Sequence, residues 1–371
     1  MMASDLLQAV EASNVAGASE LLRERLQGGA DPWEIHLSLF PVVQRVLNPP
    51  FINPHLPKMY RICRELIPYL RKEDVGPLVQ LEITEYARRP KLAKLPRTGS
   101  LTSPVSFSDV ESAIGERDWK KTADLMAAFH AREGGAELAR RLLLLGSGYL
   151  EHSLGHSVSC TAFILLEMME RKDQDVWPAL VTLADYFCKG RFFIAPAIRK
   201  RPEPLSDEVL DHHLLRATSG QGIVDLHHTI TFYAIHRVRQ LFTLEEYDHM
   251  IDSWIEFMGG KEAEPVELGG SKMEGAADYP GFYEVFSRLE AKPLVASLVG
   301  TIDSPGGRQQ SGRFLIKALC DKYQGDYNPH YLTGLGSALW VVDQYGKQTA
   351  IAARALCQYL SFFFHGLKDQ H

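Results

Sequence analysis

Apolar positions recur at three- and four-residue spacing along most of the chain and strict alternation is almost absent, so the pattern predicts helices. Leu6, Leu7 and Val10 form one stripe and Ala18, Leu21, Leu22 and Leu26 the next, punctuated by Ser13-Asn14 and Gly28-Gly29. Asp31-Pro32 opens a helix running to about Leu47, with proline in a first turn, where its missing N–H costs nothing. Stripes continue over 56–71 (Met59, Ile62, Cys63, Leu66, Leu70) and 72–88. Thr243-Leu244-Glu245-Glu246 is a capping box ahead of 245–258, whose Tyr247, Met250, Ile251, Trp254 and Phe257 face one way. Further helical segments are 209–217, 225–242, 282–299, 312–323 and 348–367, although 295–302 also fits a strand. Polar or Pro/Gly-rich runs at 87–106, 190–207 and 259–280 read as a linker, a loop beside the core and a surface excursion. The fold class this implies is all-α.

The pattern also repeats. Residues 9–22 align without gaps on 113–126, Gly28-Gly29 has a counterpart in Gly134-Gly135, and at a slightly different offset His55 falls on His156 and Pro77 on Pro178. The run 149–170 holds His152 and His156, four residues apart and so on one face of a continuous helix, ahead of a wholly apolar stretch. His156-Ser157-Val158-Ser159 recurs as His228-Thr229-Ile230-Thr231 and His330-Tyr331-Leu332-Thr333, and more loosely as His55-Leu56-Pro57-Lys58. Asn53-Pro54-His55 and Asn328-Pro329-His330 share a lead-in. The expectation is a set of degenerate helical repeats packed into one bundle-like or solenoid-like domain, in three stretches: 1–90, 107–260 with the central histidines, and 275–371. Each repeat delivers one imidazole toward a common interior axis.

Bulk composition narrows the class. The chain has 371 residues, 45% hydrophobic and 23% charged, with a net charge of −6, which suits a soluble globular protein and lacks the basic footprint that phosphate binding needs. Its five cysteines are scattered with no Cys-x-x-Cys pair, so a cysteine zinc site is not expected and a reducing, cytoplasmic setting is. No apolar run reaches the roughly 20 residues of a membrane span. Partners are therefore expected to be a small-molecule substrate and, for assembly, further copies of the chain, with neither nucleic acid nor membrane.

A buried imidazole must be hydrogen-bonded, metal-bound or paired with a carboxylate. His156, His228 and His330 are the candidate catalytic residues, and His55, His152, His156, His228 and His330 the candidate ligands for iron, zinc or manganese. His227 can substitute for His228, and Asp225 can orient a ring. Tyr149, Phe163, Phe232, Tyr233, Tyr331 and Trp340 can wall a pocket for a flat ligand. The competing reading is structural: each histidine caps a helix and the Ser or Thr three residues on satisfies local backbone groups. Phosphate-binding, dinucleotide and zinc-protease motifs are missing from the sequence, and Glu246-Tyr247-Asp248-His249 alone has the Glu-x-x-His spacing of di-iron bundles.

Leu150-Glu151-His152-Ser153-Leu154-Gly155-His156 before an apolar run resembles the motif of the questin-oxidase-like family, and Asp225-Leu226-His227-His228-Thr229-Ile230-Thr231 is similar to that family's later His helix. The resemblance covers about 140–260. It implies an oxygenase that opens a quinone-like ring by oxygen insertion, with NADPH as reductant, and it touches only His152, His156 and His228. The expected function is thus a metal-dependent oxidoreductase for an apolar, aromatic small molecule. The alternative is a helical-repeat scaffold that binds a protein or small molecule without chemistry.

Overall fold

In a computed structural model the described residues are 2–97, 104–171, 175–264, 279–302, 304, 306–323, 328–346 and 349–368, and they form helices without a strand. Numbered in chain order, these begin with α1 (Met2–Glu11), α2 (Val15–Gln27), α3 (Pro32–Ser38), α4 (Phe40–Val43), α5 (His55–Leu66) and α6 (Val75–Arg88). The middle of the chain gives α7 (Phe107–Gly115), α8 (Trp119–Glu133), α9 (Gly135–Ser147), α10 (Leu150–Ser153), α11 (His156–Glu170), α12 (Trp177–Gly190) and α13 (Asp207–Ala217). Then come α14 (Ile223–Arg237), α15 (Leu244–Met258), α16 (Tyr279–Phe286), α17 (Ala291–Ile302), α18 (Gly307–Lys322), α19 (His330–Tyr345) and α20 (Thr349–Lys368). The stretch that also fitted a strand, 295–302, is helical. The all-α expectation holds.

The chain divides into two compact units. The first comprises Met1–Arg64, Val79–Pro202 and Ala234–Phe257, and the second Glu65–Leu78, Glu203–Tyr233 and Met258–His371.

In the first unit the duplication is visible in the backbone. Ser13 and Arg117, 104 positions apart, both take left-handed conformations (φ 58° and 62°), which side chains other than glycine's visit rarely. The residues that follow, Asn14 and Asp118, cap α2 and α8 by accepting from Gly17 N (2.9 Å) and Lys121 N (3.0 Å). Thr243 and Glu246 form the expected capping box on α15. Helix α11 is buried from His156 through Met168, as an apolar run without a polar face requires. It packs on α9 and α12, and a Cβ on Gly146 of α9 would meet the Ser157 carbonyl oxygen at 2.6 Å, so that approach needs glycine. The expected linker is partly docked: Leu47 N donates to Pro90 O (2.8 Å), Leu92 N to Arg45 O (2.7 Å) and Trp177 Nε1 to Leu95 O (2.6 Å). Its residues 98–103 lie outside the described residues, as do 265–278 of the expected surface excursion.

In the second unit α20 packs along α13, α17 and α19, and α18 lies against α17 and α19. Gln358 of α20 ties the turn after α13 by donating to Ala217 O and Ser219 O (2.9 Å each), satisfying carbonyls that α13 leaves open.

Candidate functional site: two histidine pairs

In the first unit His55 opens α5 and His156 opens α11, and their Nε2 atoms lie 2.8 Å apart with both residues buried. The protons of this pair can be assigned. Arg89 Nη1 can only donate, and it donates to Asn48 Oδ1 at 2.7 Å, which turns the Asn48 amide nitrogen toward His55 Nδ1 (3.2 Å). His55 Nδ1 is therefore an acceptor, and the neutral ring carries its proton on Nε2. His156 Nδ1 donates to Ser153 O (2.7 Å), so its lone pair is on Nε2 and receives the His55 proton.

His152 does not join them. Leu154 and Gly155 are both left-handed (φ 51° and 74°), so the chain breaks into α10 and α11, and the shared helical face expected for His152 and His156 does not form. His152 is exposed, its ring edge-on to Phe192 at 6.5 Å.

Contacts between α5 and α11 advance together along both helices, so the two run side by side in one direction. One turn below the histidines, Lys58 Nζ sits 3.5 Å from Ser159 Oγ. Lys58 is fully buried, and that burial lowers its pKa. Cys160 beside it is pushed up to about 11 by burial, with the Lys58 charge opposing. Further down, Glu167 is gripped by Arg61 (3.3 Å), Arg64 (3.0 Å) and Arg171. Burial pushes the Glu167 carboxyl up, but the Arg171 hydrogen bond and the three guanidinium charges outweigh it and hold it below the usual carboxylate range.

The second unit repeats the device on α14 and α19. His227 Nδ1 donates to Ile223 O (2.7 Å), and His330 Nδ1 donates to Asn328 Oδ1 (2.7 Å), an oxygen held in place by the His330 backbone N–H (3.0 Å). The two rings stand edge to face with centroids 4.6 Å apart. His227, not His228, meets His330, because one residue turns the side chain about 100° around the helix. His228 is buried nearby, its pKa pushed down to about 4 by burial and by Lys261 against the opposing Asp225. Asp225 is engaged by Lys261 Nζ (2.7 Å) and by Gly222 N (3.2 Å).

Six residues beyond each of these histidines, α14 and α19 reach a cavity of about 450 Å³ lined by Tyr233, Trp340, Tyr69, Glu65, Asp343 and Arg308, among others. Tyr233 lies over Trp340 at 5.4 Å and 29°. The Tyr233 hydroxyl donates to Glu65 and the Tyr69 hydroxyl to Asp343. Of the aromatic residues expected to wall a pocket, Tyr233 and Trp340 do so. Phe163 is core, Tyr331 packs on Phe362 and Phe363, and the Tyr149 oxygen accepts from Phe193 N and Ile194 N.

Three further polar residues, His36, Lys58 and His249, are buried. His36 is fully buried: its Nδ1 lies 2.8 Å from Glu82 Oε2, Glu82 Oε1 accepts from Tyr86 Oη (2.8 Å), and Tyr60 stacks on the ring at 4.4 Å. Lys58 stood out only as a departure from the Ser/Thr of the repeat. His249 is buried too, against Ser147 Oγ (3.3 Å) and Arg199 N (3.4 Å), and burial lowers its pKa.

Comparison with family models, with curated proteins and with solved structures yields no match for this chain.

Proposed function

We propose that the chain is a metal-dependent oxidoreductase of the oxygenase kind, acting on a flat aromatic small molecule, with His227 and His330 as ligands of a transition ion. The observation that carries this reading is the fixed tautomer of both rings. A histidine that binds metal through Nε2 has its Nδ1–H held by an acceptor, and the Ile223 carbonyl and the Asn328 amide oxygen supply those acceptors. Such nitrogen donors suit iron, zinc or manganese. His156 likewise keeps Nδ1–H on Ser153 O, but its Nε2 lone pair accepts from His55. His55 does not fit as an Nε2 ligand while Arg89 and Asn48 keep its proton there. His152 and His228 lie outside this ligand set, one exposed and the other a core residue.

When bound, the ion supplies Lewis acidity to polarise an oxygen or a carbonyl. The chain's own residues do the rest. Burial keeps water from the imidazoles, the two Nδ1 acceptors hold the rings still, and Tyr233 with Trp340 offers a ring a stacking wall about 9 to 15 Å along the helix axes from the histidines. The quinone-like substrate and NADPH are carried by the family resemblance alone.

Elemental analysis of protein purified without chelators tests the reading, with about one transition ion per chain expected. His227→Ala and His330→Ala should each lose the ion, with His228→Ala keeping it. Metal far below stoichiometry, or retention in both variants, overturns the ligand assignment and returns the chain to the scaffold reading.

A further inference from the structure

We propose that the cavity walled by Trp340, Tyr233, Tyr69, Glu65 and Asp343 binds an aromatic ring that carries an ammonium group. The aromatic part follows from the walls: Trp340 is stacked by Tyr233 and met by Phe232 at 5.7 Å, so its ring is held in one orientation. The volume of about 450 Å³ suits a single substituted ring.

The ammonium part follows from the charges that face the cavity, which are Glu65, Asp343 and Arg308. Arg308, the one cation among the described residues of the lining, is held against the end of α19. Its Nη1 donates to the Asp343 backbone oxygen (2.8 Å), and its guanidinium lies so close to the end of α19 that a Cβ on Gly346 would meet Nη2 at 2.7 Å. Gln309, whose side-chain amide also lines the cavity, donates to Pro68 O (3.2 Å). The phenol of Tyr69 points its proton into Asp343, so it adds a donor to the acid and none to a ligand. An ionised carboxylate accepts about four hydrogen bonds, and a single phenol leaves most of that capacity at Asp343.

Asp343 also sits in the last turn of α19, where exposed carbonyls favour a cation and disfavour an anion. Burial raises its pKa, against the Tyr69 hydrogen bond and the Arg308 charge. A ligand ammonium relieves both penalties and gains from the ring faces of Trp340 and Tyr233. A ligand carboxylate would instead meet two acids.

That this ligand is the substrate rests on the oxidoreductase reading; its binding does not, and is measured separately. The probes are three near-isosteres: tyramine (cationic), 4-ethylphenol (neutral) and 3-(4-hydroxyphenyl)propionate (anionic). They are titrated into the full chain with tryptophan fluorescence and thermal shift as readouts, before and after chelation. Tyramine should bind about tenfold more tightly than 4-ethylphenol and the propionate most weakly, with the same order in chelated protein. Asp343→Asn should abolish the advantage of tyramine and leave 4-ethylphenol unchanged. The inference is overturned if 4-ethylphenol matches tyramine, if the propionate binds best, or if no probe binds. The ligand series on the unaltered chain decides this even if the variant does not fold. A chain without metal that ranks the probes as stated sinks the proposed metal and leaves the cavity assignment intact.

Discussion

The two units pair their histidines in the same way and continue differently below them. In the first, the α5–α11 seam closes into Lys58 against Ser159 and then into Glu167 held by Arg61, Arg64 and Arg171. In the second, the α14–α19 seam opens on the cavity at Tyr233 and Trp340. The proton assignment differs as well. His55 is held as a donor toward His156, whereas His227 and His330 both keep Nδ1–H on oxygen. One recurring device thus occurs in two forms, a hydrogen bond from His55 to His156 in a buried core and two rings with Nδ1–H held by oxygen on the helices that reach a cavity. The lesson is that the partner of Nδ1, which lies outside the repeated phrase, decides which of the two a histidine becomes.

The largest break in this comparison is expected from Glu167→Gln. Its carboxylate is nearly inaccessible, and losing its charge leaves the buried guanidinium of Arg171 without a carboxylate, while Arg61 keeps Glu170 (2.6 Å), a loss of about 3 kcal/mol. Urea denaturation should report it. Because the folded carboxyl is held below its unfolded value, the stabilisation is complete above the unfolded carboxyl pKa and is lost as pH falls through the folded one. Acid titration of the unaltered chain should therefore show a transition that the variant lacks.

Lys58→Met should act in the opposite direction. The amine is fully buried with Ser159 as its hydrogen-bond partner, so replacing it by a chain of like volume should stabilise the protein by about 1–3 kcal/mol. Burial lowers the folded pKa, so the native state binds fewer protons than the unfolded one, and stability falls as pH drops from the unfolded lysine value toward the folded one. Chemical denaturation across the alkaline range should be flatter for Lys58→Met than for the unaltered chain.

Asn328→Ala sharpens the contrast in the second unit. It removes the acceptor of His330 Nδ1–H and should weaken metal binding about 10–100-fold with the fold unchanged, as read by competition with a chelating dye. The smallest effect at neutral pH belongs to His228→Phe. With its folded value near 4, His228 destabilises the protein only as pH falls from about 6.5 toward 4, and melting temperatures of the two proteins should diverge only in that window.

Much of the fold is legible in the sequence because helical periodicity and caps are local. The Ser13-Asn14 and Arg117-Asp118 turns and the Thr243–Glu246 box follow from short stretches. The equivalence of His55 and His156 also follows, since a duplication brings matching positions into register. What stayed hidden depends on details a spacing does not carry. Choosing between His227 and His228 needs the rotation of α14, and separating His152 from His156 needs the left-handed pair Leu154-Gly155, a rare conformation for leucine. His36 with Glu82, 46 positions apart, and Lys58 with Ser159, 101 apart, are meetings that only tertiary packing creates.

The amide of Asn48 has one more implication. With its oxygen claimed by Arg89, it sets where a hydrogen rests on His55, and so which way the bond to His156 points. Asn48→Asp would present an oxygen instead of an NH2 group to that ring, moving the hydrogen to Nδ1 and bringing two lone pairs face to face. The strut would then close only around an added proton or a cation, so a change of one atom would turn the first unit's pair into the kind found in the second.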